Sequence, residues 1–444
     1  MSRRYRFLAE GIAFVLALLT ISEIVWLRWH LEARASGPLP QEAYVWQRRW
    51  TPRVDEAVAR AAGLANLVVL AAEADPGSDP PQVARVAVDW AQLVASRPGA
   101  GLALRILPFP GRFADRPQVR ETLAALAAEL ATTARARGLS PSEIQLDYDC
   151  AETKLDDYRD LILAVRRAVA PLKVTLTALP SWLPHRRAFA DLAAAADGYV
   201  LQVHSLAPPA RPGDAALLCD PAAARQAVEA AARFHRPFRV ALPTYGYLTA
   251  FRPDGSPLGL TAEGPASAWP AGTFLSAAAS DASAMAGLVR LWTRDRPAEL
   301  AGLLWFRLPA SSDHRNWSWE TFQAVVSGNL PPVHGEARAV ASVTEPGLVD
   351  LALANPSASE ASPPPKVRIR WRNTKLLAAD GLAGYQARSV GTEELWLERS
   401  LASPGRRLSP GERRPVGWLR FAAPSAPEDL EVQSVAVVAA PTAP

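Results

Sequence analysis

Glu143-Ile144-Gln145-Leu146-Asp147-Tyr148-Asp149-Cys150-Ala151-Glu152 is the stretch whose reading decides the fold. As a strand it alternates its side chains between two faces. Gln145, Asp147 and Asp149 then share one face, and Ile144, Leu146 and Tyr148 share the other. Carboxylates behind an apolar row do not suit a simple core. They suit a strand whose polar face lines a cavity while its apolar face packs under helices, as where a strand of a β/α barrel ends at an active site.

The neighbouring chain supplies such a barrel. Strand-like runs fall at Tyr44–Arg48, Leu67–Glu73, Leu102–Leu107, Ile144–Asp149, Val174–Ala178, Tyr199–His204, Phe238–Thr244 and Gly302–Leu308. Between them lie Arg53–Ala62, Val83–Ala95, Gln118–Arg137, Leu155–Ala170, Arg186–Ala196, Pro221–Phe234 and Ala282–Thr293, with apolar residues at helical spacing. Alternation of this kind predicts parallel βαβ units, and eight of them predict a (β/α)8 barrel over residues 40–330. Val83–Trp90 alternates strictly enough to be read as a strand instead. The segment Leu248–Phe274, rich in Gly, Pro and Ser, follows the seventh strand and reads either as a lid over the site or as a mobile insertion. Beyond Pro331-Pro332 the pattern changes to short strand-like runs: Ala339–Val343, Leu348–Leu353, Lys366–Trp371, Glu394–Glu398, Gly417–Phe421 and Leu430–Val438. Residues 335–444 therefore read as a β-sandwich-like domain.

At the N-terminus, Arg3, Arg4 and Arg6 precede an apolar run from Phe7 to Leu27 that is broken by Glu10 and Glu23. Residues 1–35 read either as a signal peptide cleaved at Ala33-Arg34-Ala35 or as an uncleaved membrane anchor. Both readings export the remainder to a periplasmic or other extracytoplasmic space. Cys150 and Cys219 are the only cysteines and have no metal-ligand spacing; they form either one disulfide at a barrel rim or two unpaired thiols. No metal and no cofactor is expected. The net charge is +4, with arginine supplying nearly all the cations. A nucleic-acid partner would want a basic stripe interleaved with aromatics, and none is visible.

In a barrel of this kind the site lies at the C-terminal ends of the strands. Polar residues near those ends are Glu73, Arg105, Gln145, Asp147, Asp149, Gln202, His204 and Arg307; Trp46, Trp182, Tyr245 and Trp305 are aromatics near the same rim. Acids, hydrogen-bonding side chains and flat rings suit a sugar. Arg105 against Asp147, or Arg307 against Asp149, also fits a purely structural pairing of buried charges. Two carboxylates on one strand face stand about 6–7 Å apart by rise alone, within the range that glycoside hydrolysis uses. Asp149 is therefore the expected acid, helped by Asp147, with Glu73 or Glu152 as the further carboxylate.

Ile-Gln-Leu-Asp147-Tyr-Asp149, with Pro243-Thr-Tyr245-Gly246 and Gly302-Leu-Leu-Trp305, resembles the chitinase-type family 18 glycoside hydrolases, and more closely an uncharacterised bacterial family of such barrels with a C-terminal β domain. The resemblance implies a barrel that acts on an envelope or extracellular glycan. Two departures stand against the family pattern. The position of its general acid is Ala151, and the Tyr-Asp pair that ends its sixth strand is matched by His204 and Ser205. The expected function is a glycoside-hydrolase-like barrel. The alternatives are a non-catalytic, lectin-like barrel and a structural envelope protein.

Overall fold

The computed structural model describes residues 33–96, 98–204, 209, 211, 217–262, 269–270, 273–313, 315–330, 333–357, 360–399, 408, 411–422 and 430–435. The expected signal or anchor segment before Ala33 lies outside them. Among the described residues no helix is long and apolar enough to cross a membrane.

Eight parallel strands close on themselves: β1 (Gln41–Val45), β2 (Asn66–Asp75), β3 (Gly99–Ile106), β4 (Glu143–Asp147), β5 (Lys173–Ala178), β6 (Gly198–Gln202), β7 (Phe238–Pro243) and β8 (Leu300–Phe306). They pair in chain order, and β1 pairs with both β2 and β8. Helices α1 (Pro52–Arg60), α2 (Trp90–Ala95), α3 (Pro117–Ala136), α4 (Leu155–Val169), α5 (Arg186–Ala195), α6 (Pro221–Ala232), α7 (Ala282–Arg294) and α8 (Trp319–Val326) follow the strands in turn. The expected (β/α)8 barrel is the one observed. Local chemistry explains where the helices start. Pro52, Pro117 and Pro221 sit in first turns, where their missing N–H costs nothing. Asp89, Asp220, Asp281 and Ser318 cap the helices that follow them.

Two layers of apolar residues hold the barrel. Ile144, Leu146 and Tyr148 of the opening stretch point outward into the large core between strands and helices. Inside the barrel, Tyr44, Trp46, Val68, Leu70, Ala103, Val200, Ala241 and Leu304 form a separate cluster with Phe306 against it. Below this cluster the interior is ionic. Arg239 reaches Glu143 through both terminal nitrogens at 2.7 Å and Glu42 at 2.6 Å. Gly101 makes room for this group, since a Cβ there would stand 2.7 Å from the Glu143 side chain.

Three elements differ from the sequence expectation. Residues Gln82–Arg85 form a strand antiparallel to β2, so that helix α2 begins only at Trp90. The insertion after β7 is an antiparallel sheet of Gly246–Phe251 between Pro257–Thr261 and Phe274–Ala279. Gly246 is required by that packing, because a Cβ would lie 2.6 Å from the Ala278 carbonyl oxygen. Helix α8 was not expected at all. Its cap is Ser318, whose hydroxyl accepts from the Thr321 N–H.

The C-terminal part forms two four-stranded antiparallel sheets. Strands β9 (Arg338–Glu345), β10 (Leu348–Ala354), β15 (Arg413–Phe421) and β12 (Leu376–Gly381) make one, in that order. Strands β13 (Tyr385–Ser389), β14 (Glu394–Arg399), β11 (Lys366–Trp371) and β16 (Leu430–Val435) make the other. Alternate residues such as Val367, Ile369 and Trp371 face Val349, Leu351 and Leu419 in one shared core.

Candidate active site

Strand β4 ends at Asp147, so the alternation read through Asp149 is half strand and half loop. Register builds one polar layer across four strands. Glu73 pairs with Arg105, Arg105 pairs with Asp147, and Thr177 stands on the neighbouring strand. A bulge between Leu70 and Ala72, within β2, shifts the alternation of the strand just before Glu73. Arg105 donates to Glu73 at 3.2 Å and lies 3.8 Å from Asp147, while the Thr177 hydroxyl donates to Asp147 at 2.8 Å. Arg48 holds Glu73 from the other side with two hydrogen bonds, at 2.7 and 2.9 Å. Burial alone would raise the Glu73 carboxyl. The two arginines outweigh it and keep Glu73 below the ordinary range, as a fixed anion.

Asp147 and Asp149 behave in the opposite way. Burial, with the charge of Asp149 behind it, pushes the Asp147 carboxyl up to about 7 against the Thr177 hydrogen bond and Arg105. Asp149 opens onto the cavity while protein encloses its flanks, and burial raises its carboxyl as well, opposed by Arg105. No described residue hydrogen-bonds Asp149. Two carboxyls this close cannot both ionise freely, so the pair retains a proton into the neutral range.

The cavity above them holds about 630 Å³. Tyr44, Trp46, Arg105, Asp147, Asp149, Gln202, His204, Tyr245 and Arg307 line it, together with Thr177, Ser181, Asp220 and Phe306. Its floor is aromatic: Tyr44, Trp46 and Phe306 meet edge to face at 5.1 to 5.6 Å. His204 stacks on Phe306 and stands 3.5 Å from the Tyr245 hydroxyl, while its Nε2 has no partner among the described residues. Burial lowers the imidazole to about 3, so that it is neutral at any working pH. The Arg307 guanidinium is committed to Asp313 at 2.5 Å and 2.8 Å, not to Asp149.

Five expected site residues do not line the cavity. Gln145 points into the barrel but one layer below the cavity. It accepts from the Tyr44 hydroxyl at 2.5 Å and donates to Thr175 at 3.3 Å. Trp182 is fully buried behind the strand, donating to the Cys150 carbonyl at 3.2 Å. Trp305 faces the helices, bonded to Gln41 at 2.8 Å and packed on Trp317 and Phe322; Phe306 is the aromatic that β8 turns inward. Glu152 begins a turn outside the cavity, where backbone and Ser181 hydrogen bonds hold its carboxyl below the ordinary range, the wrong direction for an acid. Glu73 lies beside the cavity wall as the anion of two arginines. Cys150 and Cys219 are both free and buried, and burial pushes each thiol up to about 12. Among the described residues no cluster of His, Cys, Asp and Glu is arranged to hold a metal ion.

Asp220 was not foreseen. It sits in the loop before α6, and Oδ1 accepts from the Ala222 N–H at 2.8 Å. The sequence signal available for it was the Asp-Pro helix start at Pro221. That signal predicts a cap, not a cavity wall.

Residues 107–311 match a family model described as a domain of unknown function (DUF3142), and residues 338–422 match a second, described as a domain of unknown function (DUF8456). The spore cortex-lytic enzyme SleL of Bacillus megaterium is similar at 13% identity and a TM-score of 0.47, over 67% of this chain and 75% of that one. A chitinase of Chromobacterium violaceum is similar at 16% identity and a TM-score of 0.43, over 65% and 98%. The family 18 chitinase ChiB of Flavobacterium johnsoniae is similar at 11% identity and a TM-score of 0.45, over 66% and 94%. No curated protein matches the sequence.

Proposed function

We propose that the barrel is a glycoside-hydrolase-like enzyme of an exported protein, acting on an envelope or extracellular glycan. The observation that carries this reading is the carboxyl pair at the end of β4. Asp147 is proton-retaining to about 7, and Asp149 is raised, without a hydrogen bond from any described residue, and open to the cavity. A carboxylic acid that stays protonated near neutral pH is what departure of a sugar alcohol needs. Asp149 donates the proton to the glycosidic oxygen, and Asp147 shares the remaining charge with Arg105 and Thr177. Asp220, on the wall formed by the loop before α6, is the further carboxylate of the cavity. Its Oδ2, to which no described residue donates, is the group available to orient water. Trp46, Tyr44 and Phe306 supply apolar surface for a sugar ring, and Gln202 and the unpartnered His204 nitrogen supply hydrogen bonds to hydroxyls.

One observation favours binding without turnover. Ala151, at the family's general-acid position, lies in the loop just before Glu152 and brings no carboxylate to the cavity. Turnover on a panel of reduced-end-labelled glycans separates the two readings. Release of product by the wild-type chain, lost in Asp149→Asn, supports the enzyme. Binding by both proteins with no product from either leaves the lectin-like reading.

A further inference from the structure

The end of the barrel opposite the cavity has two features that a glycan site leaves unused. The first is charge. Each helix runs back against its strand, so helix C-termini and strand N-termini share this face. Arg60, Arg137, Arg167, Lys173, Arg236 and Arg294 stand there, all exposed, and no described carboxylate pairs with any of them. The acids of this face are already engaged: Asp197 with Arg166 at 3.0 Å, Glu299 beside His235 at 3.4 Å, and Asp295 and Glu229 with Arg34. The helix dipole accounts for each arginine near a helix C-terminus taken singly. It does not account for the lack of free acids among them.

The second feature is the path of the chain. Arg34–Ala35 pairs antiparallel with Arg296–Pro297, and the Ala298 N–H donates to the Ala33 carbonyl at 2.7 Å. The Arg34 guanidinium makes two hydrogen bonds to Asp295, at 2.8 and 2.9 Å, and two to Glu229, at 3.0 and 2.8 Å. Gly37 donates to the Thr293 carbonyl and accepts from Arg296. These are the residues of the small-x-small site at Ala33-Arg34-Ala35. A cut after Ala35 would detach Arg34 from a clamp built for it.

We propose that this face docks on an anionic bilayer, with the segment from Ala33 to Gly37 retained as the stalk between the barrel and its apolar N-terminal run. A sheet of lipid phosphates satisfies the unpaired cations together. A nucleic acid offers the same charge, but the apolar composition of the run from Phe7 to Leu27, which precedes the clamped segment in sequence, favours lipid. The cavity then opens away from the membrane, toward a glycan layer beyond it.

The test uses the full chain in nanodiscs, once with phosphatidylglycerol and once with phosphatidylcholine alone. An arginine-selective dicarbonyl reagent is read out by mass spectrometry. Labelling of Arg60, Arg167 and Arg294 is expected to slow about tenfold on the anionic bilayer and to recover in high salt, while exposed Arg112 at the opposite rim is unaffected. The intact mass of the membrane-extracted protein is expected to include Arg34. Equal labelling on both lipids would overturn the docking surface, as would equal protection by a DNA oligonucleotide in detergent without lipid. A mature chain that begins at Ser36 would overturn the stalk.

Discussion

The two ends of the barrel interior bury similar groups and treat them differently. At the lower end, two glutamates face one arginine, and Arg239 bonds three of their four carboxylate oxygens at 2.6 to 2.7 Å. Thr175 adds a hydrogen bond to Glu143 at 2.6 Å. At the upper end, Asp147 closes the strand and Asp149 stands in the loop two residues on, and the nearby arginine is drawn to Glu73. Buried charge that is matched serves the fold; buried charge left short of partners is available for chemistry.

The largest expected effects test the lower end. Arg239→Met strands two buried carboxylates and should cost about 3–5 kcal/mol of stability, seen as a large fall in the melting temperature or as failure to accumulate folded protein. A change within about 0.5 kcal/mol would show that the ionic layer is not structural. Trp305→Ala belongs to the same class, since that ring is core here. It should cost about 3–5 kcal/mol with no selective loss of glycan affinity, measured by denaturant unfolding beside binding.

At the upper end the pattern should reverse. Asp149→Asn is expected to lower turnover by about 10²–10⁴-fold while the melting temperature stays within a few degrees of wild type. Asp147→Asn gives a smaller, pH-dependent effect. A carboxyl raised from its unfolded value to about 7 binds more protons in the folded state, so its burial destabilises the protein increasingly as pH rises through that interval. The asparagine variant should therefore melt about 2–4 °C higher than wild type at pH 8, with the gain gone near pH 4. A pH-independent difference would count against the raised carboxyl. Smallest of all, Gln202→Ala should weaken glycan binding by about 5–10-fold in calorimetry and leave stability unchanged, because no described residue depends on its amide.

Alternation made most of this architecture readable in advance. Strands such as Val174–Ala178 and helices such as Leu155–Ala170 carry their periods plainly, and the pairing of Gln145 with Asp147 on the inner face of β4 followed from parity alone. Parity failed where both faces are apolar. In Gly302–Leu308 nothing in the residue types separates Trp305 from Phe306, so register decides which ring faces the cavity. The bulge in β2 likewise moves Glu73 without leaving a mark in composition. Asp220 reaches the site through a loop, where no periodicity exists to read. The short helix at Trp319 went unseen because only its Ser-x-x-Thr cap announces it.

Tyr44 links the cavity to the layer beneath it. Its hydroxyl is tied to Gln145, which is tied to Thr175, which is tied to Glu143 of the ionic layer. The floor of the cavity thus rests on a column of hydrogen bonds anchored in the ionic layer of Arg239, Glu143 and Glu42. A guest cannot press deeper by displacing it. The walls and mouth, where Asp220, Ser181 and Gln202 stand, are then the surfaces left to discriminate among guests.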